Sequence, residues 1–99
     1  MDSLSVIVLT PHEGKVYEGE ALELYVPSHK GPLGIYPGYT PTVAPLVKGL
    51  ARLKTPERRD LYFVISGGVL EVKPDKVFVL SESAQRFDKE EEAKAALTR

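Results

Sequence analysis

Few residues in this chain of 99 are of types that do chemistry, and their surroundings decide what they can do. The two histidines, His12 in "TPHEGK" and His29 in "PSHKG", each stand beside a proline or glycine turn. Neither lies in the i, i+4 helical spacing that sets two imidazoles around a metal or positions a general base, so both read as solvated loop residues. Ser66 in "ISGG" resembles a nucleophile only superficially. The strand-turn-helix elbow requires Gly-x-Ser-x-Gly, and this serine runs instead into a predicted hairpin, so it reads as structural. No Gly-x-x-x-x-Gly-Lys-Ser/Thr phosphate loop is present, and "GKVYEGE" leads into a strand rather than a helix N-terminus that would hold phosphate. Glu18 and Glu20 alternate along that strand as a solvated face would. There is no cysteine, hence neither a disulfide framework nor a thiolate metal site, which suits a reducing, cytoplasmic compartment. The expectation is a chain without catalytic, cofactor-binding or metal-ligating residues.

Charge narrows the partners. Thirteen basic residues stand against 14 acidic ones, and the densest basic spot, Arg58-Arg59, is flanked by Glu57 and Asp60, so nucleic-acid binding is not expected. No run approaches the roughly 18 apolar residues of a bilayer span, so no direct membrane insertion is expected either. Two alternatives stay open at this level. A small soluble barrel or sandwich that binds a ligand would need a cavity with a few convergent polar groups, and a small hydrolase would need a histidine within reach of a serine and an acid.

The elements that must position anything functional are mainly strands. With 42% hydrophobic residues the chain suits one core. Short runs rich in Val, Leu, Ile, Tyr and Phe, separated by glycine, proline or charged turns, follow one another over the first eighty or so residues, the pattern of a sandwich or barrel. "LSVIVL" (Leu4 to Leu9) is one. In "VYEGEALELYV", Leu22, Leu24 and Val26 share a face and Glu23 points away. "DLYFVIS" and "VLEV" meet at Gly67-Gly68, a pair that predicts a tight reversal or a bulge, and "KPDK" predicts a proline-initiated turn before "VFVLS"; together these make an antiparallel meander. From residue 87 the composition changes. Asp88 with Glu91 three positions on, acids in the first turn and Arg99 in the last predict a short helix whose stripe is Ala93, Ala96 and Leu97. Such a helix is marginal alone, so it docks on the sheet or pairs with something beyond residue 99. The reading is a β-sandwich domain over residues 1–86 and a helical segment over 87–99.

One segment resists this pattern. "GPLGIYPGYTPTVAPL", Gly31 to Leu46, is apolar yet dense in proline and glycine, which predicts interrupted pairing and a rigid loop bearing Leu33, Ile35, Tyr36 and Tyr39. Its residues either dock on a partner, where stiffness lowers the entropy lost, or plug the end of the sandwich.

That segment, followed by "ISGGVLEVKPDKVFVLSESAQRFD", closely resembles the epsilon subunit of bacterial rotary ATP synthases, whose stretches read Gly-x-Leu-Gly-Ile-x-Pro-Gly-His-x-Pro and Ser-Gly-Gly-x-Leu-Glu-Val-x-Pro. The resemblance runs from about residue 4 to 92 and includes the early "TP" turn and "VYEGE". It implies a ten-stranded antiparallel β-sandwich followed by a short helix, placed at the foot of the central stalk on the cytoplasmic face of the membrane. The implied partners are the gamma subunit and the ring of proteolipid subunits, and the implied role is coupling ion flow to ATP synthesis without catalysis. The ring-contacting loop maps to Gly31, Pro32, Leu33, Gly34, Ile35 and Tyr36, and the gamma-facing surface to Thr10, Tyr39 and Thr42. Pro32 stands where many relatives carry an acid, and Tyr39 where they carry a histidine, so ring contact here is expected to rest on shape and apolar packing. Relatives commonly continue into two long helices that inhibit ATP hydrolysis or fold around ATP. The sequence holds neither the second helix nor a full ATP motif, so inhibition by helix extension and ATP binding are not expected of it.

Overall fold

Alternation of inward and outward side chains defines most of the chain. The computed structural model describes residues 3–98, and Arg99, expected to close the last helical turn, lies outside them. Eight strands, β1 (Leu4–Thr10), β2 (Gly14–Ala21), β3 (Glu23–Ser28), β4 (Gly31–Ile35), β5 (Thr42–Lys54), β6 (Asp60–Val72), β7 (Val77–Leu80) and β8 (Ala84–Phe87), precede one helix, α1 (Glu90–Leu97). In β3, Leu24 and Val26 are fully buried between half-exposed neighbours, the period of two that the sequence shows.

The strands run in the order β2-β1-β7-β6-β5-β3-β4, with β8 also on β6. The long hairpin β5–β6 organises them. Its strands pair without a register break from Thr42↔Val72 to Lys54↔Asp60. The half of the hairpin nearer its turn is flanked by β3 on one side and β8 on the other. The half farther from the turn is flanked by β7, which leads on to β1 and β2. The hairpin therefore belongs to two layers, β4-β3-β5-β6-β8 and β5-β6-β7-β1-β2, and their inner faces make one core of Leu24, Val26, Ile35, Leu53, Phe63 and Ile65 against Val6, Val8, Leu70, Val72, Val77 and Val79.

This architecture corrects the expected strand count. Among the described residues there are eight continuous strands rather than ten, and ten segments result when β5 and β6 are counted once in each layer. Nor is there a reversal at Gly67-Gly68: β6 passes straight through the pair and bends, with φ of 109° and 126°. Gly68 is obligatory there, because a Cβ would stand 1.9 Å from the Leu80 carbonyl oxygen. A cluster of serines clips the bend. The Ser66 amide donates to Ser81 Oγ at 3.2 Å, the Ser83 amide donates to Ser66 Oγ at 3.1 Å, and Ser81 Oγ donates to the Ser83 carbonyl at 2.8 Å. Pairing is also not antiparallel throughout, since β1 and β7 run parallel from Val6↔Val77 to Leu9↔Leu80. The intervening β2–β6 supply the long connection that a parallel pair needs. The expected turn at Lys73–Lys76 is present, closed by the Lys73 amide donating to the Lys76 carbonyl at 2.8 Å.

The helix begins one residue later than Asp88 capping would place it. Lys89 is the N-cap and no side chain caps the end, while the Asp88 carboxylate lies 3.6 Å from Arg86. The helix docks on β5, β6 and β8 through fully buried Ala93, with Ala96 and Leu97 half-buried beside it.

Candidate functional site

The proline- and glycine-rich segment is not the loop its composition predicts. Gly31–Ile35 form the edge strand β4, and Thr42–Leu46 open the longest strands of the fold. The two prolines of this segment that fall within strands, Pro32 and Pro45, are tolerated for topological reasons. Pro32 lies on β4, whose only partner among the described residues is β3, and its cross-strand neighbour Pro27 falls inside the β3–β5 register shift between Tyr25 and Ser28. Pro45 precedes the point where β3 joins β5, so one side of β5 is open there. Interrupted pairing is thus confined to residues 36–41.

The residues expected to contact a ring divide by burial. Ile35 is 0% exposed and anchors β4 in the core, Leu33 packs against that core, and Pro32 and Tyr36 face solvent, Tyr36 at 45%. The Tyr36 hydroxyl is hydrogen-bonded to the Tyr25 hydroxyl. That bond is the first cause, ahead of desolvation, holding the Tyr25 phenol protonated up to about 12.

The residues expected to face a gamma subunit bracket a surface without meeting on it. Tyr39 and Thr42 lie at one end of the second layer, beside the Lys73–Lys76 turn. The Tyr39 amide donates to the Tyr36 carbonyl at 3.1 Å, and the Thr42 hydroxyl to the Thr40 carbonyl at 2.7 Å. Thr10 lies at the other end of β1; it is only 6% exposed, and its Oγ1 accepts from the Glu13 amide at 3.1 Å.

Between them the outer face of this layer carries an apolar row, beside which Glu71 partners Val43 and lies 3.9 Å from Lys73. Pro45, Val69, Leu80 and Leu9 are successive cross-strand partners, and Val43, 70% exposed, continues the face along β5. Val69 at 37% and Val47 at 43% are likewise open to solvent. A sheet face left to water is ordinarily polar, so this row is the strongest unmet surface among the described residues. Sequence reading missed it, although Val43, Pro45 and Val47 alternate as outward strand positions do. The segment was expected to be a loop, where no alternation is sought.

The other chemical candidates do not converge. His12 and His29 are exposed in separate turns, and Ser66 bonds only within its serine cluster. Among the described residues no three His, Asp or Glu side chains are placed to hold a metal ion. The inner faces of the two layers pack one hydrophobic core between them. The grooves of about 340 and 490 Å³ are open at the rim, one beside Tyr39 and Lys73–Lys76 and one beside Thr10, Gly68 and Leu80.

The chain matches the family described as ATP synthase, Delta/Epsilon chain, beta-sandwich domain, over residues 3–87. It is 47% identical over 85 residues to the ATP synthase epsilon chains of Bacillus thuringiensis (strain Al Hakam) and Bacillus cereus (strain B4264), an overlap of 86% of this chain and 62% of each relative. It therefore spans a little under two thirds of their length. Its fold is similar to a chain in the Euglena gracilis mitochondrial ATP synthase, in an assembly of OSCP, F1 and c-ring, with a TM-score of 0.81 at 21% identity over 96% of this chain and 62% of that one. It is also similar to a chain in the Tetrahymena thermophila mitochondrial ATP synthase central stalk and c-ring, with a TM-score of 0.65 at 15% identity over 83% of this chain and 65% of that one.

Proposed function

This chain belongs to the ATP synthase delta/epsilon family, whose β-sandwich domain it carries over residues 3–87, and from that premise we propose that it is a non-catalytic coupling part of the enzyme's central stalk. Its relatives are named epsilon chains, and the similar folds come from assemblies that include a c-ring or central stalk. In this reading the outer face of the second layer, bracketed by Thr10 at one end and Tyr39 and Thr42 at the other, binds the gamma subunit. The exposed side of β4, with Pro32 and Tyr36, meets the proteolipid ring, and Leu33 and Ile35 hold that strand to the core. The complex lies at the cytoplasmic face of the membrane, and the chain turns with the rotor while ions flow and ATP is made.

The observation that carries the reading is the apolar row Pro45–Val69–Leu80–Leu9 with Val43 beside it. An apolar row on a paired sheet gives a rotor part what it needs, because little conformational freedom is lost on docking. Among the described residues His12 and His29 stand exposed in separate turns and Ser66 bonds within its serine cluster, so no observation favours the hydrolase alternative.

The test is to mix the purified chain with the gamma subunit of its own synthase and weigh the eluted species by light scattering on a sizing column. The wild type forms a one-to-one complex. Val43→Asp with Val69→Asp places charges in the buried centre of the interface and weakens it at least about tenfold. His12→Ala with His29→Ala leaves it unchanged. A complex indifferent to the aspartates overturns the assignment of this face.

A further inference from the structure

Gly34 lies beneath two tyrosine rings. A Cβ on it would stand 2.9 Å from Tyr25 Cε1 and 3.3 Å from Tyr36 Cε2. Its φ is outside the left-handed region occupied by Gly31 and Gly38 on either side, so backbone freedom does not explain the glycine. The rings do. They meet edge to face, with centroids 6.0 Å apart and planes at 89°, and their hydroxyls bond to each other.

The contact extends across the layer. Tyr25 is the cross-strand partner of Gly34 on one side and Arg52 on the other; Arg52 in turn partners Tyr62, and Tyr62 partners Phe87. The Arg52 guanidinium carbon lies 4.6 Å from the Tyr25 ring centroid, on the β5 side of the pair. The guanidinium is held in turn by Asp60 at 3.7 Å, and Asp60 also faces Lys54 at 3.6 Å. Tyr36 is the first residue past β4, followed by the turn that carries Pro37 and Gly38. Without a lateral hold its ring would swing with that turn.

We propose that Tyr25 and Arg52 are positioning residues that brace Tyr36 as a pre-set aromatic anchor of the Gly31–Tyr36 segment, and that Gly34 is glycine to seat the two rings. The partner of that anchor, the proteolipid ring, rests on the function proposed above; the brace itself does not. An aromatic ring fixed before contact supplies area and a polar tip without an ordering cost at docking, and Arg52 transmits its position to the middle of the layer.

Two measurements separate these levels. In the free chain, nuclear relaxation and ring-to-ring Overhauser effects report the brace directly. The wild type gives contacts between the Tyr25 and Tyr36 rings and a Tyr36 order parameter near 0.85, whereas Tyr25→Leu and Gly34→Ala lower it below about 0.6 while Ile35 stays near its wild-type value. Arg52→Leu gives an intermediate loss. Tyr25→Phe keeps the ring on Gly34 and removes only the hydroxyl, so it tests the brace even if a larger change prevents folding; it abolishes the bond and leaves the ring contacts. A Tyr36 as rigid in Tyr25→Leu and Gly34→Ala as in the wild type overturns the brace. The second measurement is dissociation of each variant from purified proteolipid ring in nanodiscs. Release about tenfold faster for Tyr25→Leu supports the anchor. A loosened Tyr36 with unchanged release overturns the anchor role and the ring reading of this segment, and leaves the brace standing as a feature of the free chain.

Discussion

Gly68 and Tyr25 show how much of this protein is decided at single positions. At Gly68 both the φ of 126° and the 1.9 Å approach of the Leu80 carbonyl exclude a side chain. Gly68→Ala is therefore expected to cost more than about 3 kcal/mol, read from urea unfolding, because backbone strain and a clash with unyielding main chain add. Tyr25 gives a prediction in pH. Its phenol is held protonated up to about 12, first by the bond to Tyr36. An unfolded tyrosine ionises near about 10, so the pair's contribution to stability is complete below that pH and is lost as pH rises through about 12. Burial raises Tyr17 and Tyr62 above the ordinary phenol value as well. Phenolate absorbance should thus show Tyr17, Tyr25 and Tyr62 ionising late. Tyr36→Phe should move the latest of them downward, and an unchanged titration in that variant would remove the bond from the account.

Among the elements, those with a plain local signature were legible. Leu4–Leu9, the alternating Leu24 and Val26, and the Lys73–Lys76 turn all stand where residue types place them. The misread elements depend on what lies beside them. Pro32 and Pro45 signal a loop unless it is known that β4 is an edge and that β5 has an open side at that point. Gly67-Gly68 permits reversal and bend alike, and only the unbroken partner β5 makes it a bend. Asp88 has the capping pattern, yet it turns to Arg86. The strand β4 carries its own test. Ile35→Ala opens a cavity in the core and should cost about 2–5 kcal/mol, while Val43→Ala, at an exposed position, should stay within about 0.5 kcal/mol in the same unfolding assay. Equal effects would mean that the assignment of anchor and surface is wrong. Helix α1, uncapped at its start and buried mainly through Ala93, should exchange its amide hydrogens well before those of the β5–β6 hairpin.

At the scale of the whole molecule, two faces matter because the topology sets them apart. Thr10, Tyr39 and Thr42, proposed to face gamma, were legible in the sequence only through resemblance, and nothing local distinguishes them. The face they bracket is assembled from β5, β6, β7 and β1, so Val43, Val69, Leu80 and Leu9 become one surface only after the long hairpin and the parallel β1–β7 pair are in place. The exposed side of β4 belongs to the other layer. In the proposed coupling role two such surfaces must be joined by something that does not deform, and the bent hairpin shared by both layers would be that joint. Because the chain has no cysteine, each face can be given one. The most direct measurement is photo-crosslinking in the assembled synthase, with a maleimide probe on Val43→Cys or on Pro32→Cys and the captured subunit identified by mass. The account predicts that position 43 captures the gamma subunit and position 32 captures a proteolipid subunit. Capture of the same subunit from both positions, or of neither, would contradict it.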